Sequence, residues 1–238
     1  MNQILVTKKL YITPELKRKK KFYKFDFVLS IFLIIILIGF YCYAEFERNE
    51  EEAVSQGLLS KIEDTTTASK DTLVVVLDGT QEDISVPESV QEEQSVVETS
   101  SGEKYKTLAT INIPAIGVKY PVLQSPEETT ESIEETIKVS PCKFWGPEPN
   151  EVGNFCVVGH NYRNTKFFSK VPTLDNGDII ELTDMKGRTI KYAVYDKYIV
   201  DPTDVSCTSQ LTNGKKELTL ITCTNDSKQR YIIKSKEI

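Results

Sequence analysis

Residues 27–44 read Phe-Val-Leu-Ser-Ile-Phe-Leu-Ile-Ile-Ile-Leu-Ile-Gly-Phe-Tyr-Cys-Tyr-Ala without a single charge. A helix rising 1.5 Å per residue makes this run about 27 Å long, close to the hydrocarbon thickness of a bilayer. Lys17, Arg18, Lys19, Lys20, Lys21 and Lys24 precede it, and Glu45, Glu47, Glu50, Glu51 and Glu52 follow it. Basic residues gather on the cytoplasmic side of a membrane span. Residues 1–26 are therefore expected to be a cytoplasmic tail, residues 27–44 a single-pass anchor in the plasma membrane, and the remainder extracellular. A cleaved signal peptide is the competing reading, but its apolar stretch usually has only about 7–15 residues. Here the run is longer, Tyr41 and Tyr43 suit an interfacial anchor, and no clear A-x-A cleavage site follows.

Charge divides the rest of the chain. The overall charge of −6 hides +6 over residues 1–44, −11 over residues 45–106 and −1 over residues 107–238. The basic end abuts the apolar run, which accounts for it without a nucleic-acid partner. Residues 45–104 combine high negative charge with low hydrophobicity, a composition expected to give a largely disordered, self-repelling stem. Two local features stand out within it, a short helix from Glu45 to Ile62 and the apolar run Leu73-Val-Val-Val-Leu77.

From residue 105 the texture becomes that of an all-β domain. Leu108–Ile113 and Val118–Leu123 form a hairpin-like pair around Pro114 and Gly117, and Ser125–Val139 is spaced for a short helix. Further strands are expected at Asn154–His160, Asp178–Thr183, Thr189–Val200, Glu217–Cys223 and Gln229–Lys234. Asn176-Gly177, Lys186-Gly187 and Asn213-Gly214 supply turns between them. Seven or so short strands in residues 105–238 point to a sandwich or a closed barrel, and closure removes exposed edges.

The five cysteines are Cys42, Cys142, Cys156, Cys207 and Cys223. With no C-x-x-C pair and one histidine, a zinc site is not expected. Cys142 could pair with Cys156 or Cys207, which the Cβ geometry decides. The odd count leaves at least one thiol free. His160, the only histidine, ends the apolar segment Phe155-Cys-Val-Val-Gly-His160, and Cys223 ends Leu218-Thr-Leu-Ile-Thr-Cys223. Each residue alone is ordinarily structural, since a free cysteine is usually a small core side chain. A thiol at the end of a buried strand is nevertheless held rigidly, which suits a nucleophile. Arg230 opens the last strand seven positions after Cys223. If those strands pair as a hairpin, its fixed charge returns to the thiol and could hold a developing oxyanion.

This set resembles the sortase family. Thr219-Leu-Ile-Thr-Cys223 is similar to its T-L-x-T-C signature, Gly159-His160 to its strand-end histidine, and Arg230 to its arginine. Gly153-Asn154, Phe167-Phe168, Gly177-Asp178 and Ala193-Val194 fit as flanking features, so the resemblance covers residues 105–238. It implies a sortase-type barrel of seven to eight strands with short helices. It also implies a cysteine transpeptidase that cuts a secreted protein at a C-terminal L-P-x-T-G-like signal. Cys223 would form a thioacyl intermediate, His160 would move protons, and Arg230 would stabilise the oxyanion or orient the peptide. Thr222 would make a lesser contribution through its hydroxyl or backbone. The acceptor would be a peptidoglycan precursor or another amine.

The family's substrate groove usually includes the loop before the catalytic strand, here about 201–214, so Cys207 reads as a bystander. Some members use calcium, and Glu127, Glu128, Glu131, Glu134 and Glu135 are acidic neighbours. They read as a solvated helix face, and neither a metal nor another cofactor is expected. Cell-wall anchoring is the expected role, because no C-terminal membrane helix or inserted lid motif is read. Pilin polymerisation and a non-catalytic surface binding module are the alternatives. A papain-like enzyme would carry its cysteine before its histidine, the reverse of the order here.

Overall fold

The computed structural model describes residues 14–71, 96–98 and 104–238. The chain separates into two compact units, residues 1–48 and residues 49–238. One helix, α1 (Pro14–Asp71), contributes to both. In the first unit its side chains from Arg18 onward are mostly exposed, and the helix is long and apolar enough to cross a membrane.

Among the described residues the second unit has nine strands: β1 (Val96–Glu98), β2 (Lys104–Ile113), β3 (Val118–Gln124), β4 (Cys142–Trp145), β5 (Gly153–Val158), β6 (Ile179–Asp184), β7 (Thr189–Val200), β8 (Lys216–Cys223) and β9 (Arg230–Glu237). A short helix, α2 (Thr130–Val139), precedes β4. The strand order is β1-β2-β3-β4-β5-β8-β9-β7-β6, and β6 pairs back onto β2. That last pairing closes β2 to β9 into an eight-stranded barrel, with β1 as an added edge on β2. The expected closed all-β barrel is therefore the observed one.

Alternation along the strands fills the barrel. Leu218 and Leu220 of β8, Phe155 and Val157 of β5 and Ile233 of β9 join Ile111, Leu182 and Tyr192 in the interior. Their neighbours Ile221, Cys156 and Ile232 fall on the outer face, because successive strand residues point to opposite sides. The connection from β7 to β8 covers that outer face, and its short turn Ser206–Thr208 brings Cys207 against Cys156, Ile221 and Ile232.

Two expectations change. The helix expected from Ser125 begins at Thr130, because the Thr129 hydroxyl accepts from the Ser132 N–H at 3.2 Å and caps it. Only part of the stem expected over 45–104 can be compared, since residues 72–95 and 99–103, including Leu73–Leu77, lie outside the described residues. Residues 49–63 are not a spacer but helix packed on the barrel. Val54, Leu58 and Ile62 share one helix face at i, i+4, i+8, and they meet Leu123, Ile137 and Cys142. Around them Ser55 Oγ donates to Ser140 Oγ at 3.0 Å, and Lys166 Nζ pairs with Glu52 at 3.1 Å.

Candidate active site

Strands β5 and β8 run parallel, with Val158 beside Ile221 as their last pair. Two residues further on, His160 comes level with Cys223. In the antiparallel β8–β9 ladder, Cys223 pairs directly with Arg230. Directly opposed residues project to the same face, with Cβ atoms about 5 Å apart. Cys223, Arg230 and the neighbouring Ile221 and Ile232 therefore share the outer face at one end of the barrel.

Contacts around the β5–β8 ends fix this arrangement. The Gly159 N–H donates to the Ile221 carbonyl at 3.1 Å, and the Phe168 N–H donates to the His160 carbonyl at 3.0 Å. Gly159 is required by its neighbour: a Cβ there would lie 2.7 Å from the Phe168 ring. The imidazole stacks on Tyr162 at 4.9 Å between ring centroids. Tyr162 meets Phe167 edge-on, and Phe167 stacks on Tyr120, so an aromatic row backs the histidine. Tyr162 Oη reaches Glu51 of α1 at 3.3 Å, tying the row to the docked helix. Burial first, and the Lys138 charge second, lower the His160 pKa to about 4. The imidazole is thus neutral at ordinary pH.

The thiols differ by environment. Burial pushes Cys142 and Cys156 up to about 12 and also raises Cys207. All three are buried, whereas Cys223 is half-buried at the strand end. No disulfide joins them, and Cys142 packs in a different cluster from Cys156 and Cys207. A nucleophile needs access, which leaves Cys223 as the candidate within the barrel. Arg230 donates to the neighbouring Gln229 carbonyl at 3.2 Å and makes no ion pair among the described residues. Its guanidinium is free to meet an anion. Thr222 points inward: it is 1% exposed, and its hydroxyl donates to the Gly159 carbonyl at 2.8 Å. That hydroxyl is committed to joining the two strand ends. Among the described residues, no cluster suited to a metal ion comes together.

An open groove of about 590 Å³ lies between the start of α2, β4 and Gln210. Trp145, Phe144, Ile133 and Pro147 give it an apolar lining, with Glu128 and Lys143 adding charge. It does not contain Cys223 or His160. Trp145 pairs with Cys156, however, so the groove shares the outer face of the sheet with the thiol. Its wall at Gln210 is laced by hydrogen bonds. Asn154 donates to the Cys207 and Ser209 carbonyls, Gln210 exchanges two bonds with the Asn154 backbone, and Thr219 donates to Asn154 Oδ1. Sequence reading passed over Asn161, Tyr162 and Trp145, and it expected a helix at Glu45–Ile62 without its docking on the barrel. The first two directly follow His160, and the helix shows itself in the Val54–Leu58–Ile62 spacing.

The closed eight-stranded barrel thus carries a cysteine, a histidine and an arginine at one rim. A family model described as the sortase domain matches residues 111–238, more than half of the chain, and the protein belongs to the sortase family. It is 31% identical to sortase A of Bacillus anthracis over 150 residues, covering 60% of this chain and 65% of that protein. The structure of a sortase A lid mutant from Corynebacterium diphtheriae has the same fold. It superposes with a TM-score of 0.50 at 21% identity, over 78% of this chain and 94% of that one. A Clostridium perfringens sortase D5 transpeptidase is similar at 30% identity, with a TM-score of 0.48 over 56% of this chain and 79% of that one.

Proposed function

We propose that this protein is a membrane-anchored cysteine transpeptidase that cleaves an L-P-x-T-G-like sorting signal and transfers the preceding protein to an amine, that of a cell-wall precursor above all. The observation that carries the reading is the register: Cys223 opposes Arg230 in one ladder and comes level with His160 in the other.

The chemistry follows from the protonation states. Neutral His160 accepts the Cys223 proton as sulfur attacks the threonine carbonyl carbon. The carbonyl oxygen becomes an anion beside the Arg230 guanidinium, whose charge is fixed and whose donors are planar. Collapse breaks the C–N bond, and His160 passes its proton to the departing glycine nitrogen, leaving a thioester on Cys223. An incoming amine gives a proton to His160 as it attacks; the C–S bond breaks and sulfur recovers that proton. The apolar groove at Trp145, on the same outer face of the sheet, receives signal residues upstream of the scissile bond. Thr222 acts by holding the strand ends.

In the same reading residues 1–26 are cytoplasmic, residues 27–44 span the membrane, and residues 105–238 form the extracellular catalytic domain, against which the helix of residues 49–63 packs. The test is turnover of an L-P-x-T-G peptide with triglycine by the full chain in detergent micelles, read by mass spectrometry. The ligated peptide should form with the wild type and be absent with Cys223→Ala. Equal turnover by both would overturn the assignment.

A further inference from the structure

The β5–β8 ladder does not stop where its strands end. After Gly159 donates to Ile221, a continued parallel ladder would next send the main-chain N–H of residue 161 to the Cys223 carbonyl. In this protein the Asn161 side chain fills that place: Nδ2 donates to the Cys223 carbonyl at 2.9 Å. The same Nδ2 donates to Asn225 Oδ1 at 3.2 Å, and Asn161 Oδ1 accepts the Arg163 N–H at 3.0 Å. These partners fix which way the amide faces, since a carbonyl needs a donor and an N–H needs an acceptor. Nearby, Arg163 Nη2 donates to Ser227 Oγ at 3.1 Å, lacing the loop after His160 to the turn after Cys223. Thr222 bridges the strand ends from inside the barrel, and Asn161 bridges them from outside.

We infer that Asn161 is a positioning residue for the transpeptidation reaction, using its amide to lock the main chain of the nucleophile to the segment that carries the histidine. The inference rests on the transpeptidase reading and identifies a residue that the nucleophile, histidine and arginine do not include. It acts through geometry: the reacting groups must meet within a fraction of an ångström, and a misplacement of about 1 Å can cost about a hundredfold in rate. An asparagine is required because only its N–H meets the Cys223 carbonyl. Aspartate has the same size but carries no donor when ionised.

The test compares untagged full-length wild type, Asn161→Ala and Asn161→Asp in detergent micelles, with an L-P-x-T-G peptide and triglycine. Both variants should lose about five- to a hundredfold in kcat, the range from one lost hydrogen bond to a full misplacement. KM should stay within about twofold and the melting temperature within about 3 °C, since one partly exposed contact is removed. His160 is the only histidine, so its NMR titration reads the same event: a loosened segment admits water and moves its pKa up towards 6.5. Overturning results are an unchanged kcat in both variants, full activity in the aspartate variant alone, or a loss confined to KM or melting. No turnover by the wild type would instead overturn the transpeptidase reading, and the His160 titration of the variants would still decide whether Asn161 holds the segment.

Discussion

Arg230 stands directly opposite Cys223 in the β8–β9 ladder, the last pair before the turn that joins the two strands. Its guanidinium makes no ion pair among the described residues, so its charge is available at the rim beside Cys223. Arg230→Ala should lower kcat/KM by about a hundredfold or more, the scale of losing an oxyanion donor. Arg230→Lys keeps the charge but not the planar fork, and it should recover only part of that loss. Steady-state turnover of a sorting peptide checks both.

His160 gives a prediction about pH. Burial disfavours the imidazolium and holds the pKa near 4 instead of 6.5. The unfolded chain therefore binds the extra proton first, between pH 6.5 and 4. Stability contributed by keeping the imidazole neutral is present above about 6.5 and declines as pH falls towards 4. The single histidine signal should titrate near 4 in the folded protein, and the acid limb of turnover should lie below pH 5. A midpoint near 6.5 would show an imidazole open to water.

Gly159 tests how tightly the histidine segment is built. A methyl group there would sit 2.7 Å from the Phe168 ring, which is itself fully buried. Gly159→Ala should cost about 1–3 kcal/mol, the usual penalty of overpacking, and should displace His160 enough to depress kcat. Thermal melting and turnover, measured on the same sample, separate the two effects.

Much of this was readable beforehand because it depends on period. Apolar residues at every second position marked the barrel strands, and turn pairs marked their ends. Cys223, His160 and Arg230 were legible because each sits at or beside a strand end. What stayed hidden was tertiary. Strand β4 has only four residues, too few to show alternation. Asn161 looks like any loop asparagine until its partner, the Cys223 carbonyl, lies beside it. Thr222 read as a lesser contributor through its hydroxyl or backbone, and its place on the inward side of β8, which commits that hydroxyl to Gly159, shows only in the fold.

Trp145 is the only tryptophan in the chain, and it is 55% exposed in the groove beside β4. Its emission therefore reports on that groove alone. Titrating Cys223→Ala with an L-P-x-T-G peptide should shift or quench the fluorescence saturably, because a bound peptide replaces water around the indole. A flat titration, with binding detected by calorimetry, would put the peptide elsewhere on the barrel.

The docked helix carries the last prediction. Glu residues dominate residues 45–52, and composition alone made the whole stretch look like a solvated stem. Yet Leu58 is 2% exposed and packs with Leu123, Ile137 and Cys142, which no spacer would require. Three residues before it, Ser55 is fully buried and bonded to Ser140, so the helix is seated rather than adjacent. Leu58→Ala should therefore destabilise the barrel by about 2–5 kcal/mol, as for a leucine removed from a core. Gly57, on the same helix, has open space around it. Gly57→Ala should leave stability unchanged or raise it by up to about 1 kcal/mol through helix propensity. Opposite responses at adjacent positions, read by denaturant unfolding of the full chain, would mark residues 49–63 as part of the catalytic unit. Equal, negligible responses would return them to the stem.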